Sequence, residues 1–215
     1  MGFCSTVGNS SVFACHVAKF KILTKLSKTG TEKKYDLLKK LVGYYGDVSH
    51  SHTLKAFVLN GITNSRQIPS KFNSQTQNFE MDYVYLKKQI LKDVENGLIP
   101  FFLFGVIGAT PTGGNDNLNH LGDIAKEFDM FFMVDAAYAG CFFICKEFRQ
   151  YKSGLQKANG YVINPAKTML TGMDTSILCI DDQDLVYNAL EIDPKSRKIG
   201  SSITQLGEIS KQGNE

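Results

Sequence analysis

Residues 132–140 of this chain have the sequence FMVDAAYAG. A short apolar run ends there at Asp135, and small residues follow it directly. The run does not alternate between apolar and polar residues, which is typical of a strand buried on both faces of a sheet. Ligands of parallel sheets bind at the carboxyl ends of the strands. Asp135 is therefore predicted at a ligand-binding edge, unless it only caps the next turn.

Similar apolar runs recur along the chain, and amphipathic helical patterns separate them. The other runs lie at residues 3–4, 41–45, 101–107, 161–163 and 177–180. A first helix is predicted from Phe13, Val17 and Phe20, with Ser10–Ser11 as its N-cap. A second is predicted from Leu86, Ile90 and Val94 and ends at Asn96-Gly97. A third is predicted from Leu118, Leu121 and Ala125 and begins after residues 115–117. This alternation predicts an α/β fold with a mostly parallel sheet that is covered by helices on both faces.

The composition of the 215 residues excludes several classes of protein. With 43% hydrophobic and 21% charged residues, the chain is predicted to be globular rather than disordered. The net charge of +3 without a long basic run does not favour nucleic-acid binding, and no apolar stretch is long enough to predict a membrane span. Five cysteines without a CxxC motif, and no secretory signal, predict a cytoplasmic protein.

The two ends of the chain have distinct patterns. Residues 1–6, MGFCST, fit the loose N-myristoylation pattern with Cys4 as a second acylation point, but this pattern is short and frequent by chance, so we expect a buried strand that leads into a turn and no membrane partner. From Asp193 onward the sequence is polar and has no apolar period. We therefore predict one domain over residues 1–194 and a poorly packed polar tail over residues 195–215.

Three further segments place reactive groups at strand ends. Residues 5–11, STVGNSS, lie between a predicted strand and helix, where small and hydroxyl residues bind anions or simply cap the helix. Lys167 follows the strand at 161–163 and is either an amine nucleophile or an ordinary surface lysine. Residues 47–52, DVSHSH, hold a His-x-His pair, but no cluster of ligands accompanies it, so no metal site is predicted. An imidazole here can instead stack on an aromatic ligand.

These segments together provide an anion cradle, an acid, an amine and an imidazole on one side of one sheet. Pyridoxal phosphate requires this set of groups: a cradle for its phosphate, a carboxylate for its ring nitrogen, a lysine for its aldehyde and a flat partner for its ring. The sequence therefore predicts this cofactor.

Residues 132–140, CKEFR at 145–149 and NPAK at 164–167 resemble the pyridoxal-phosphate-dependent group II amino-acid decarboxylases, in particular the aromatic-L-amino-acid decarboxylases. The resemblance extends from about Gly2 to about Pro194. It implies the large domain of the aspartate-aminotransferase-like fold, with a mostly parallel seven-stranded sheet flanked by helices. It also implies an L-amino-acid substrate with an aromatic side chain, a homodimer, and neither nucleic acid nor a membrane as a partner.

The resemblance further implies roles for individual residues. Lys167 would form the Schiff base, Asp135 would pair with the pyridinium nitrogen, and His50 would stack on the ring; these three are the expected catalytic residues. The remaining expected cofactor contacts are Gly8, Asn9, Ser10, Thr110, Ala137 and Asn164, with the phosphate at Gly8–Ser10. The substrate amine would displace Lys167, and the α-carboxylate would leave as carbon dioxide.

The sequence departs from the family pattern in three ways. Ala166 stands where the family has a histidine, and Thr168 where aromatic decarboxylases have an aromatic residue. Family members are much longer, and no tyrosine follows Tyr187 to serve as the proton donor. Three hypotheses therefore remain open: an active decarboxylase, a truncated and catalytically incompetent member that binds only the cofactor or a partner subunit, and an aldehyde-forming relative that uses oxygen.

Overall fold

The computed structural model describes residues 1–30, 33–173 and 175–190. The chain divides into a compact unit, Met1–Asp181, and a second unit, Asp182–Glu215. In the second unit the described residues form the helix Gln183–Leu190, with Asp182 Oδ1 accepting from the Leu185 N–H at 2.8 Å. The predicted tail at 195–215 lies outside the described residues, and the domain boundary at 194 stays a prediction.

The first unit alternates strands and helices in the way that the sequence predicts. The strands are β1 (Gly2–Cys4), β2 (Leu41–Gly46), β3 (Asn64–Ile68), β4 (Ser70–Asn73), β5 (Asn78–Met81), β6 (Ile99–Val106), β7 (Phe131–Asp135), β8 (Gly160–Ile163) and β9 (Ser176–Ile180). The α-helices are α1 (Val7–Thr29), α2 (Lys34–Lys40), α3 (His52–Leu59), α4 (Tyr83–Glu95), α5 (Leu118–Glu127) and α6 (Pro165–Thr168). Three 3-10 helices, Ala139–Ile144, Lys146–Lys152 and Leu155–Lys157, connect β7 to β8.

Seven strands form one sheet in the order β1-β9-β8-β7-β6-β2-β3. The neighbours from β3 through β8 are parallel, and only β9 runs antiparallel to its two neighbours. The predicted mostly parallel, seven-stranded α/β sheet is therefore confirmed. The antiparallel hairpin β4–β5 lies outside this sheet.

Helices cover both faces of the sheet because successive side chains of a strand point in opposite directions. On one face, Val42 and Tyr44 of β2 belong to the core cluster that also contains Leu86 and Ile90 of α4 and Leu121 of α5. On the other face, the Phe57 ring of α3 packs edge-on against Phe102 and Phe104 of β6. The same face receives α1, whose Ala14, Cys15, Val17 and Ala18 are all buried.

Two predicted helix boundaries are confirmed and one is wrong. Helix α4 ends at Asn96 and Gly97, which has a φ of +75°, and α5 begins after Asn117, whose side chain accepts from the His120 N–H. The N-cap of α1 is Thr6 instead of Ser10–Ser11, because Thr6 Oγ1 accepts from the Asn9 N–H at 3.1 Å. Ser10 and Ser11 lie inside the helix, fully buried, with hydroxyls that donate to carbonyls one turn earlier.

The two edge strands of the sheet, β1 and β3, differ from the sequence prediction. β1 pairs only with β9 and is not buried, since Phe3 is 74% exposed. β3, β4 and β5 match none of the predicted apolar runs, and residues 73–78 form the turn and flanks of the hairpin β4–β5. Within the described part of the chain, no helix is long and apolar enough to cross a membrane.

Candidate active site

Reactive side chains converge on a cavity of about 300 Å³ at the carboxyl ends of β6, β7 and β8. This volume is in the range of small-molecule sites. The lining residues come from the first turn of α1, the start of α3 and the loops after the strands: Thr6, Val7, Gly8, His50, His52, Lys55, Val106, Gly108, Thr110, Asp135, Ala137, Tyr138, Asn164 and Lys167.

Asp135 is the last residue of β7 and is only 7% exposed. Its Oδ2 lies 2.8 Å from His52 Nε2, and its Oδ1 accepts from the Ala137 N–H at 2.9 Å. Burial alone would raise the pKa of this carboxyl group, but the contact with His52, the Ala137 N–H and the charge of Lys167 outweigh burial and lower the pKa below its usual value. Asp135 is therefore an ionised carboxylate at the cavity wall.

Lys167 lies on the short helix α6, which begins directly after β8. Asn164 caps this helix, because its Oδ1 accepts from the Ala166 N–H at 3.0 Å, and its own N–H donates to the Ala137 carbonyl at 3.2 Å. These two bonds tie α6 to the loop after β7. The exposed Lys167 and the buried Asp135 consequently line the same cavity.

His50 lies in the loop between β2 and α3 and also lines the cavity. Its ring stacks on the ring of His52, with the centroids 4.9 Å apart and the planes at 24°. Partial burial has the largest effect on the pKa of His50 and lowers it. The neighbouring His52 lowers this pKa as well, and so do Lys167 and Lys55, whereas Asp135 opposes the shift. A flat, neutral imidazole of this kind is suited to stack on an aromatic ligand.

The first turn of α1 forms one wall of the cavity. Thr6 accepts from the N–H groups of Asn9 and Ser10, whereas the helix itself has no acceptors for the N–H groups of Val7 and Gly8. Free N–H groups and the helix dipole favour an anion at such a position.

The structure places the three predicted phosphate contacts differently relative to the cavity, and the phosphate position itself stays a prediction. Gly8 lines the cavity, but Asn9 and Ser10 do not. The Asn9 amide donates to Ser5 Oγ at 2.7 Å, and the buried Ser10 hydroxyl donates to the Thr6 carbonyl at 3.2 Å. Because the helix begins at Val7 rather than after Ser10–Ser11, the residues of its N-terminus that line the cavity are Thr6, Val7 and Gly8.

The other predicted cofactor contacts, Thr110, Ala137 and Asn164, all line the cavity. Among the residues that the structure describes, no group of three or more His, Cys, Asp or Glu side chains could hold a metal ion. The His-x-His pair instead directs its second imidazole to Asp135.

Sequence reasoning missed several lining residues, above all His52, Lys55 and Tyr138. The only sequence signal for His52 was its position two residues after His50, which does not show which ring contacts the sheet. A second cavity, of about 510 Å³, was also missed. Gly108 and Tyr138 line both cavities, and the second one is rich in asparagine and in aromatic side chains, including Phe142, Phe143 and Tyr151.

The residues of the first cavity fit pyridoxal phosphate. A buried carboxylate, a lysine amine, an imidazole stack and an open helix N-terminus face one space. These are the groups that bind the ring nitrogen, the aldehyde, the ring face and the phosphate of this cofactor.

Comparison with known proteins agrees with this chemistry. Residues 2–203 match the model of the pyridoxal-dependent decarboxylase conserved domain. The chain belongs to the pyridoxal-dependent decarboxylase family. This confirms the family predicted from the sequence, whose cofactor is the one predicted here and whose members are carboxy-lyases.

The alignments with individual relatives include most of this chain, which spans less than half of the length of those relatives. The chain is 35% identical over 191 residues to the aromatic-L-amino-acid decarboxylase of Drosophila melanogaster, covering 88% of this chain and 36% of the relative. It is 36% identical to the phenylacetaldehyde synthase of Arabidopsis thaliana, covering 88% and 37% respectively. The solved structure of Catharanthus roseus tryptophan decarboxylase in complex with L-tryptophan matches with a TM-score of 0.81 and 31% identity, covering 90% of this chain and 40% of that one.

Proposed function

We propose that this chain is the cofactor-binding part of a pyridoxal-phosphate-dependent decarboxylase that acts on an L-amino acid with an aromatic side chain, through a Schiff base at Lys167. The observation that carries the proposal is the cavity in which Lys167 and the ionised Asp135 face the same space as the N-terminus of α1. The names of the relatives, which are decarboxylases of aromatic amino acids, support the substrate class.

Each wall of the cavity holds one part of the cofactor. Val7 and Gly8, with Thr6 beside them, would hold the phosphate through their backbone N–H groups, and His50 would pack on one face of the ring. Asp135 would accept a hydrogen bond from the ring nitrogen and would keep a proton on it, because an ionised carboxylate stabilises the positive charge. The bound cofactor supplies an electron-withdrawing ring that accepts the electrons released when the carboxylate leaves.

Lys167 and the residues around the cavity mouth act on the substrate. The Lys167 amine, which lines the cavity, would hold the cofactor through its aldehyde, and the bound cofactor would supply the carbonyl group with which the substrate amine combines. Tyr138, which lies between the two cavities and is half exposed, is placed to contact the substrate. The aromatic side chains of the second cavity support an aromatic substrate, since rings pack well on other rings.

The proposed partner is a second copy of the chain. Large apolar side chains such as Val58, Leu59 and Ile144 are each more than 60% exposed. Exposed apolar residues of this size favour association. The cytoplasm remains the predicted compartment.

The test compares the 215-residue chain with its Lys167→Ala variant. The wild-type protein is expected to develop the visible absorption band of a lysine-bound cofactor on addition of pyridoxal phosphate, and to release carbon dioxide from L-tyrosine, L-tryptophan, L-phenylalanine or L-DOPA. Lys167→Ala should lose both, whereas the exposed Lys88→Ala, on α4 and outside the cavity, should keep them. A wild-type protein without the band contradicts the proposal; a band without carbon dioxide identifies the catalytically incompetent member considered from the sequence.

The match to the Arabidopsis phenylacetaldehyde synthase favours one second candidate, an aldehyde-forming activity that consumes oxygen. The same assay separates the two activities, because a decarboxylase yields the amine. An aldehyde-forming enzyme instead yields the aldehyde, ammonia and hydrogen peroxide, and it does so only when oxygen is present.

A further inference from the structure

His52 joins two buried groups that lie on different elements of the fold. Its ring is at the first residue of α3 and is 8% exposed. Nε2 lies 2.8 Å from Asp135 Oδ2 at the end of β7, and Nδ1 lies 3.0 Å from the hydroxyl of Ser11 on α1. Both ring nitrogens are thus engaged, and the ring cannot rotate without losing two buried hydrogen bonds.

The chemistry of the partners sets the direction of the first bond. An ionised carboxylate only accepts hydrogen bonds, so the proton between His52 and Asp135 belongs to Nε2. This donor occupies Oδ2, and the Ala137 N–H occupies Oδ1 from the other side. Two fixed donors therefore define the plane and the rotation of the Asp135 carboxylate before any ligand binds.

Ser11 completes the arrangement because a hydroxyl group both donates and accepts. Its Oγ is fully buried and lies 3.0 Å from the Val7 carbonyl as well as from His52 Nδ1. The hydroxyl can therefore partner Nδ1 either as donor or as acceptor, and in both cases Nε2 continues to donate to Asp135.

We propose that His52 is a positioning residue of the cofactor site, which holds the Asp135 carboxylate ionised and turned toward the ring nitrogen of pyridoxal phosphate, with Ser11 fixing the His52 ring. This inference rests on the proposed function. His52 acts through Asp135: the stacking position on the cofactor ring belongs to His50. The His52 ring links α1, α3 and β7. It therefore fixes the distance between the N-terminus of α1 and Asp135 at the end of β7.

The titratable groups that line the cavity together with His52 are Asp135 on β7, Tyr138 after β7, His50 before α3, Lys55 on α3 and Lys167 on α6. Asp135 is the only carboxylate among these lining groups. Removing the Nε2 donor therefore leaves a buried carboxylate with only the Ala137 N–H and more distant cations. Its affinity for protons should rise, and its ability to keep a proton on the ring nitrogen should fall.

The test uses His52→Ala and the rescuing variant His52→Gln, whose side-chain amide can donate from near the Nε2 position. The probes are pyridoxal phosphate titrated into the apoprotein and the nitrogen NMR shift of cofactor labelled with ¹⁵N in the ring. We expect His52→Ala to raise the dissociation constant roughly 10- to 100-fold, the size of a lost charge-assisted hydrogen bond, and to move the ring-nitrogen signal toward the unprotonated position. His52→Gln should restore most of the cofactor affinity and most of the shift of the ring-nitrogen signal. Circular dichroism should show that both variants are folded.

Ser11→Ala and its neighbour Ser10→Ala form a matched pair for the second half of the inference. Both hydroxyls are fully buried and donate within α1, but only Ser11 contacts His52. Ser11→Ala should change the imidazole ¹⁵N signals of His52 in the apoprotein, and Ser10→Ala should leave them unchanged. Equal effects of the two variants would overturn the role of Ser11.

Two other outcomes are distinguishable. If the wild-type chain binds the cofactor, and His52→Ala binds it with the same affinity and the same ring-nitrogen signal, the inference about His52 is wrong while the proposed function stands. If the wild-type chain does not bind the cofactor, the proposed function is wrong and this inference fails with it.

Discussion

At the residue scale, the charge of Asp135 is maintained against burial by a small number of contacts. Replacing Asp135 with Asn keeps the shape of the side chain, and its oxygen can still accept from the Ala137 N–H. The negative charge is lost, so a proton on the cofactor ring nitrogen is no longer stabilised. We expect the rate of carbon dioxide release to fall roughly 100- to 1,000-fold, the usual cost of removing one electrostatic contact from a transition state.

The control for Asp135→Asn is Asp129→Asn, a substitution of the same type at the surface. Asp129 is 56% exposed in its side chain and pairs with Lys25. This variant should release carbon dioxide at the wild-type rate, and circular dichroism should show that both variants are folded. A fully active Asp135→Asn would contradict the role of the carboxylate.

The sequence predicted the positions of Asp135 and Lys167 because both follow buried apolar strands, and the ends of parallel strands meet at one edge. It did not predict His52. The residues His50, Ser51 and His52 lie where a loop changes into a helix, and the side that each ring faces depends on where that helix begins. The structure starts α3 at His52, which directs this ring to Asp135.

At the scale of elements, the position of α3 depends on a close contact with β2. An added Cβ at Gly43 would lie 2.4 Å from Phe57 Cζ, in a fully buried part of the core. Gly43→Ala should therefore push α3 from the sheet or force Phe57 out of its rotamer, at a cost of about 1–3 kcal/mol. Because α3 carries His52, the affinity for pyridoxal phosphate should fall together with the melting temperature.

The matched control is Gly2→Ala, where an added Cβ meets nothing within 4 Å. Thermal unfolding and cofactor titration of the two variants provide the comparison. A Gly43→Ala protein that is destabilised but binds the cofactor with wild-type affinity would show that α3 does not transmit its displacement to the site.

Elements were predictable from the sequence in proportion to their burial. β6 and β7 are almost entirely buried, and their continuous apolar runs identified them. β3 has the sequence NSRQI, at the edge of the sheet, and its Arg66 pairs with the buried Asp93 of α4 at 2.8 Å. Because the charge of Arg66 is paired with a residue far away in the sequence, β3 can be a strand without an apolar run. Local sequence therefore does not predict it.

At the scale of the whole molecule, Asp116 connects the hairpin β4–β5 to the main sheet. Its Oδ1 accepts from the Met81 N–H of β5 at 2.7 Å, and its Oδ2 accepts from the Val106 N–H of β6 at 2.8 Å. Burial raises its pKa from 3.8 to about 6, and the charges of Glu80 and Asp47 act in the same direction, while the two backbone N–H groups oppose the shift. The carboxylate that joins these two parts is thus more easily protonated in the folded than in the unfolded chain.

The sign of the resulting pH dependence is opposite for Asp116 and Asp135. Between pH 3.8 and about 6 the folded state binds the Asp116 proton more tightly than the unfolded state, so this residue contributes less to the free energy of unfolding as the pH rises through that window. The lowered pKa of Asp135 gives a contribution that is present above pH 3.8 and is lost as the pH falls below it. The free energy of unfolding in urea, measured for the wild type and for Asp116→Asn, provides the test. As the pH rises from 3.8 to about 6, the wild-type value minus the Asp116→Asn value should decline by at most about 1.4 kcal/mol per pH unit, and above this window it should level off. A difference that is constant across the window would show that Asp116 titrates alike in the folded and unfolded chain.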